Sequence, residues 1–251
     1  MWGMILKAFP EVSAAVRGRT VAIEPLVSKI GCVQRLALFD LDRTLIDLDA
    51  AFRRWAEEFA ERHRLDAEGL TWLVSQDQET HPHREVFFSK VRERFALAES
   101  VEELWVDYRR RMPHLVQCYP GVLAGLAELR AAGWRVGIVT NGMADNQLGK
   151  LRRTGLAVAV DGYAVSGVEG IRKPERGLFE IAAQRCGANL AEGGWIVGDN
   201  LVADIAGGQA AGLRGIWVDR GTWPGHEHRA DHVVTAVAEA IAIMRDMHQP
   251  G

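Results

Sequence analysis

What the 251-residue chain has little of narrows its nature first. It holds three cysteines, Cys32, Cys118 and Cys186, far apart and without any C-x-x-C spacing. That pattern encodes neither a disulfide framework nor a cysteine zinc site, and the thiols read as core filler in a reducing compartment. There is no basic excess: Lys+Arg 30 against Asp+Glu 33 leave a formal net charge of -3, so nothing holds a polyanion by counterion release and a nucleic-acid polymer is not an expected partner. Long apolar runs are also missing. The longest uncharged stretch, residues 112–127, is broken by Pro113, His114, Gln117 and Pro120 and falls short of the roughly 20 apolar residues of a spanning helix, so no membrane partner is expected. At the N-terminus apolar residues 1–6 precede Lys7 and Pro10 rather than following a basic stretch, the wrong order for a secretory signal; the reading is a cytoplasmic protein. Two catalytic templates are absent as well, G-x-x-x-x-G-K-[ST] and G-x-S-x-G, which removes P-loop transfer and a serine elbow. His226-Glu227 starts like H-E-x-x-H, but Ala230 stands at the fifth place and the zinc reading fails.

What is present is an alternation of short apolar runs with longer helical patterns. Residues 36–39, 135–139, 163–165, 195–197 and 215–218 are short and apolar, as buried parallel strands should be. The spacing of Val122, Leu123, Leu126 and Leu129 between Pro120 and Gly133 predicts a helix feeding the second strand. This is an α/β chain with a parallel sheet and crossover helices. Residues 49–118 interrupt it, with three helical patterns and no strand. The first places Phe52, Trp55 and Phe59 on one face, the second lies near residues 69–75, and the third covers 85–97 and then 101–112. A helical insert directly after a strand end is expected to act as a lid. The division is therefore an N-terminal extension of unclear structure over 1–34, a core over 35–48 and 119–245, and the insert over 49–118. His226, His228 and His232 are expected in a loop before a closing helix over 233–244.

Chemistry concentrates where strands end. Leu36-Ala-Leu-Phe-Asp40-Leu-Asp42-Arg-Thr44 is an apolar strand closing on two carboxylates one residue apart, and in an extended chain residues i and i+2 project to the same side. Such a pair repels itself, so one member tends to keep a proton while a metal holds the other ionised; the division of labour is Asp40 as nucleophile and Asp42 as general acid and base. On this motif alone, a turn with two solvated acids is the alternative. The second strand ends in Thr140-Asn141-Gly142, a hydroxyl and a turn that can donate to an oxyanion. Lys173 stands at a proline junction, where it can neutralise a phosphate. Gly198-Asp199 and Asp204 follow another apolar strand and supply the hard oxygen ligands that Mg²⁺ accepts.

In their order along the chain these segments resemble the haloacid dehalogenase superfamily of hydrolases. Asp40-Leu-Asp42-Arg-Thr44 matches the first motif, Thr140 the second, Lys173 the third and Gly198-Asp199 with Asp204 the fourth. Thr140-Asn-Gly142 followed by Gln147 and Lys150 is similar to the branch containing pyrimidine 5′-nucleotidases and N-acylneuraminate-9-phosphatases. The resemblance, over residues 35 to 220, implies a Rossmann-like three-layer core with an inserted α-helical cap. It implies an Mg²⁺-dependent phosphomonoester hydrolase for a small-molecule substrate, a nucleotide or sugar phosphate, working through an aspartyl phosphate on Asp40. Metal ligands would be Asp40, the backbone carbonyl of Asp42, Asp199 and, through a water, Asp204; Thr140, Asn141 and Lys173 would bind the phosphate. Asp42 favours phosphatase over 2-haloacid dehalogenase, because a halide needs no general acid; a phosphomutase shares all four motifs, and an inactive phospho-ligand binding protein would be expected to have lost one. Two positions depart from the pattern: Arg43 stands where relatives often have Gly, Asn or Asp, and Arg176-Gly177 replaces the usual second proline after Lys173-Pro174. Cap residues His81, His83 and Arg84 form a polar knot that reads first as a solvated loop, with reach to a leaving group as the alternative. The sequence is compatible with a monomer or a homodimer.

Overall fold

The computed structural model describes residues 34–80, 83–223, 225–227 and 229–247. The extension read over 1–34 lies outside them except for Gln34, whose side-chain amide donates to the carbonyls of Asn189 and Gly193. Cys32, His81 and His228 lie outside the described residues too.

Six parallel strands form one sheet in the order β3-β2-β1-β4-β5-β6. They are β1 (Leu36–Phe39), β2 (Arg135–Thr140), β3 (Gly162–Val165), β4 (Trp195–Gly198), β5 (Arg214–Val218) and β6 (His232–Val234). Strand β1 is central, with Phe39 paired to Ile138 of β2 on one side and to Val197 of β4 on the other. Its alternation decides which layer each side chain joins: Ala37 and Phe39 pack into one core, Leu36 and Leu38 into the other. The first core is covered by α5 (Val122–Ala131) and α11 (Val237–Asp246), the second by α9 (Arg176–Arg185). Shorter connections are α6 (Ala144–Arg153), α7 (Leu156–Ala159), α8 (Ser166–Glu169) and α10 (Gly207–Ala210). This is the three-layer arrangement read from the sequence.

The closing segment differs from the expected loop. His232 belongs to β6, and the last helix starts at Val237 rather than at 233. Three residues are too few to show a periodicity, and the strand is fixed by tertiary partners: Asp231 accepts from the Gly215 amide at 2.8 Å, and the His232 ring lies 5.6 Å from that of Trp195.

Between β1 and α5, the described residues form the helices α1 (Leu48–His63), α2 (Ala67–Thr80), α3 (Arg84–Phe95) and α4 (Val101–Arg111). Asp47 caps α1 by accepting from the Ala50 amide at 2.9 Å, and Ser100 with Glu103 forms a capping box on α4. The stripe Phe52, Trp55, Ala56, Phe59 is buried, and Phe52, Trp55, Phe87, Phe88 and Tyr108 meet ring to ring at 4.9–6.4 Å. Helix α2 is twice as long as its apolar pattern, because its inner face ends in buried Gln76, Asp77 and Thr80, which hydrophobic periodicity does not register. The two chain crossings into this insert pair with each other: the Asp47 amide donates to Gln117 O at 2.9 Å and the Tyr119 amide to Leu45 O at 3.0 Å.

Candidate active site

Asp40 continues β1 by one residue, its amide donating to Val197 O at 2.8 Å. Beyond it the chain turns, with the Leu45 and Ile46 amides both reaching Leu41 O at 3.0 and 3.1 Å. The turn requires a left-handed residue at Arg43, φ 60°, a conformation that costs a side-chain-bearing residue about 1–3 kcal/mol and that Gly, Asn or Asp adopts more readily. Arg43 is held there nonetheless. Its Nε donates to Asp49 at 2.7 Å, its Nη2 lies 4.0 Å from Asp77, and its carbonyl accepts from Arg220 Nε at 2.9 Å. The side chain neither fans into solvent nor sits free among the carboxylates; it ties the turn to the insert.

Lys173 gathers the strand ends. Its Nζ donates to Asp40 Oδ1 at 2.5 Å, to Asp204 Oδ1 at 2.6 Å and to the Val139 carbonyl at 2.8 Å, which places all three ammonium protons. Asn141 aligns the lysine from behind: its side chain accepts from the Lys173 amide at 2.9 Å and donates to the Lys173 carbonyl at 3.0 Å. The Asn141 amide is thus committed to backbone. At β4, Asn200 accepts from the amides of Val202 and Ala203 and opens a π-helical turn, Leu201–Ala206, that carries Asp204. Gly198 is required beside it, since a Cβ there would fall inside the Asp204 carboxylate.

Carboxylate oxygens of Asp40, Asp199 and Asp204 lie within 4.8 Å of one another. Burial pushes the Asp40 carboxyl up to about 7; Lys173 opposes this, and Asp204 and Asp42 add to it. Asp199 is held well above the usual carboxylate range by burial and then by Asp40 and Asp204. Burial works against the charge of Lys173 too, but Asp204 and Asp40 outweigh it and keep the ammonium protonated. With all three acids ionised, three carboxylates against one ammonium carry two net negative charges, the charge of one divalent cation, and the donors are the hard oxygens that Mg²⁺ takes. The residues present therefore fit that metal.

Two participants went without a role in the sequence reading. On α6, Lys150 Nζ donates to both oxygens of Asp42, at 2.7 and 3.0 Å. Gln147 Nε2 bridges Asp42 Oδ2 at 3.0 Å and Thr140 Oγ1 at 2.7 Å. The branch resemblance picks out both residues without a role, and their i, i+3 spacing puts them on one helix face. Because Gln147 donates to Thr140 Oγ1, the threonine keeps its own proton for another acceptor. His226 lies away from this cluster against the Trp223 ring, 5.1 Å between centroids. A surface hollow of about 500 Å³ at the β3 edge, lined by Tyr163, Val168 and Arg185, is also separate from the carboxylates.

A model of the haloacid dehalogenase-like hydrolases matches residues 34–212. The chain belongs to this family. It is 34% identical over 186 residues to a phosphoserine phosphatase of Thermus thermophilus, covering 70% of this chain and 72% of that protein. A glyceraldehyde 3-phosphate phosphatase of Pyrococcus abyssi is 28% identical over 201 residues, 74% of this chain and 82% of the relative. Among solved structures, the magnesium-bound HAD-hydrolase YfnB of Bacillus subtilis shares the fold, with a TM-score of 0.65 at 24% identity over 84% of this chain and 98% of that one. The protein is thus a phosphatase-type member of the superfamily. No helix among its described residues is long and apolar enough to cross a membrane.

Proposed function

We propose that the protein is an Mg²⁺-dependent phosphomonoester hydrolase for a small phosphorylated metabolite, with Asp40 as the nucleophile. The observation that carries this reading is the shared cluster of Asp40, Lys173 and Asp204, with Asp199 alongside, at the carboxyl ends of adjacent parallel strands. Asp40, Asp199 and Asp204, with the Asp42 carbonyl, would hold the cation. Bound there, Mg²⁺ supplies Lewis-acid neutralisation of charge on the phosphoryl oxygens.

In the proposed reaction Asp40 attacks phosphorus in line, and the leaving alcohol departs as an aspartyl phosphate forms. Asp42, oriented by Lys150 and Gln147, protonates the leaving oxygen and then takes a proton from the water that hydrolyses the intermediate. Thr140 donates its free proton to a phosphoryl oxygen, and the backbone amide of Asn141 adds to it, the Gly142 amide being held by Ser166 Oγ. Lys173 contributes its charge from where it stands; a direct bond to phosphate requires that one of its three present bonds open. The four helices over 49–118 serve as a cap that closes water out of the reaction. The named relatives act on phosphoserine and glyceraldehyde 3-phosphate, and the Escherichia coli pyrimidine 5′-nucleotidase YjjG is 34% identical over 100 residues; all are small phosphomonoesters. The test is phosphate release from p-nitrophenyl phosphate and a panel of nucleotide, sugar and three-carbon phosphates in Mg²⁺, with 2-haloacids as control. Phosphate release abolished by Asp40→Asn supports the reading; halide release, or an active Asn variant, defeats it.

A further inference from the structure

Beside the aromatic cluster of the insert, Asp77 and Tyr108 are buried and Arg84 nearly so. Arg84, the first residue of α3, has its guanidinium carbon 5.0 Å from the Tyr108 ring centroid, 5.6 Å from that of Phe52 and 5.8 Å from that of Phe87. Its Nη1 donates to Asp77, and among the described residues Asp77 is its only hydrogen-bond acceptor. A guanidinium offers five N–H groups, so most of this donor fork is uncommitted although the side chain is only 14% exposed. Asp77 is itself fixed from the other side, 4.0 Å from Arg43 Nη2. The Tyr108 hydroxyl has no hydrogen-bond partner among the described residues, and Asp42 lies near enough to act electrostatically on both Tyr108 and Arg84.

The uncommitted fork and hydroxyl are not closed off from solvent, and a substrate that displaces water from them must supply an acceptor, because buried donors left unpaired are costly. Through Asp77 and Arg43 these donors are linked to the turn that carries Asp42. We infer that Arg84, assisted by the Tyr108 hydroxyl, is the group that receives a carboxylate on the leaving alcohol, so that the preferred substrates are phosphorylated hydroxy or amino acids. The inference rests on the phosphatase reading above. A planar carboxylate matches the guanidinium fork, and a monoanion suits a position flanked by Asp77 and Asp42 better than a second, dianionic phosphate.

Three phosphates with one carbon skeleton isolate the contact: 3-phosphoglycerate, glyceraldehyde 3-phosphate and glycerol 3-phosphate carry a carboxylate, an aldehyde and a hydroxymethyl at the same carbon. The wild-type enzyme is expected to favour the acid over the alcohol by at least about ten-fold in kcat/KM, mostly through KM, as a charge-assisted hydrogen bond implies. Arg84→Met should reduce that ratio to near one, and Arg84→Lys, which keeps the charge without the fork, should leave an intermediate ratio. Equal use of acid and alcohol by the wild type, or an acid preference that survives both substitutions, overturns the inference while leaving the phosphatase reading standing. No phosphate from any of the three or from p-nitrophenyl phosphate overturns both. If Arg84→Met does not fold, the wild-type ratio and the Lys variant decide.

Discussion

The nucleophile assigned to this site is a burden on the fold, and the size of that burden can be measured. Asp40 is raised from 3.8 to about 7 by burial first, with Lys173 opposing and Asp204 and Asp42 adding. Between these two pH values the folded protein holds a proton that the unfolded chain has released, so unfolding free energy falls as pH rises across the window. At about 1.4 kcal/mol per pH unit, carrying the charge at pH 8 costs about 4 kcal/mol relative to the neutral carboxyl. Asp40→Asn removes the charge and keeps the shape. The raised value already includes the attraction of Lys173, so the metal-free variant should be more stable than the wild type by about 4 kcal/mol at pH 8 and by almost nothing at pH 4. Urea denaturation in EDTA at several pH values reads this directly. An Asn variant no more stable than wild type at pH 8, or a gap that does not change with pH, refutes the electrostatic account of the cluster.

Lys173→Met should have the opposite sign, because it strands Asp40 and Asp204 without their shared cation: a loss of about 3–5 kcal/mol at pH 8 in urea denaturation, smaller at pH 5 where Asp40 takes up a proton. Adding Mg²⁺ at about a hundred times its dissociation constant should stabilise by about 2.7 kcal/mol, seen as a rise of about 5–10 °C in the thermal midpoint. That rise should be greater at pH 8 than at pH 5, since protons compete for Asp40 and Asp199. Gly198→Ala places a methyl in the Asp204 carboxylate, and should abolish most of the Mg²⁺-induced rise while costing about 1–3 kcal/mol in the metal-free protein.

How far the sequence could be read depended on where each partner lies in the chain. Strands β1 and β4 are buried apolar runs, and β2 and β5 are buried beyond a leading arginine, so these announce themselves; β6 has three residues and exists because Asp231 and Trp195 hold its start. The acids at positions 40, 42, 199 and 204 were legible because each follows an apolar strand, and a strand end is a local feature. Lys150 and Gln147 stood out only through the branch resemblance; their contact with Asp42 spans more than a hundred residues and only the packing of α6 creates it. Arg43 shows the same limit: its departure from the usual small residue is legible, but its anchoring by Asp49, Asp77 and Arg220 and its left-handed backbone are visible only in three dimensions. The buried polar end of α2 was hidden for a related reason, because Gln76, Asp77 and Thr80 are inside by virtue of partners on other helices.

The central claim is that phosphorus passes through the Asp40 carboxylate. Rapid acid quenching of a single turnover with ³²P-labelled substrate in Mg²⁺, followed by peptide mapping, tests it most directly. The account predicts transient label on the peptide containing Asp40, absent from the Asp40→Asn protein; turnover at full rate with no label on that peptide would contradict it.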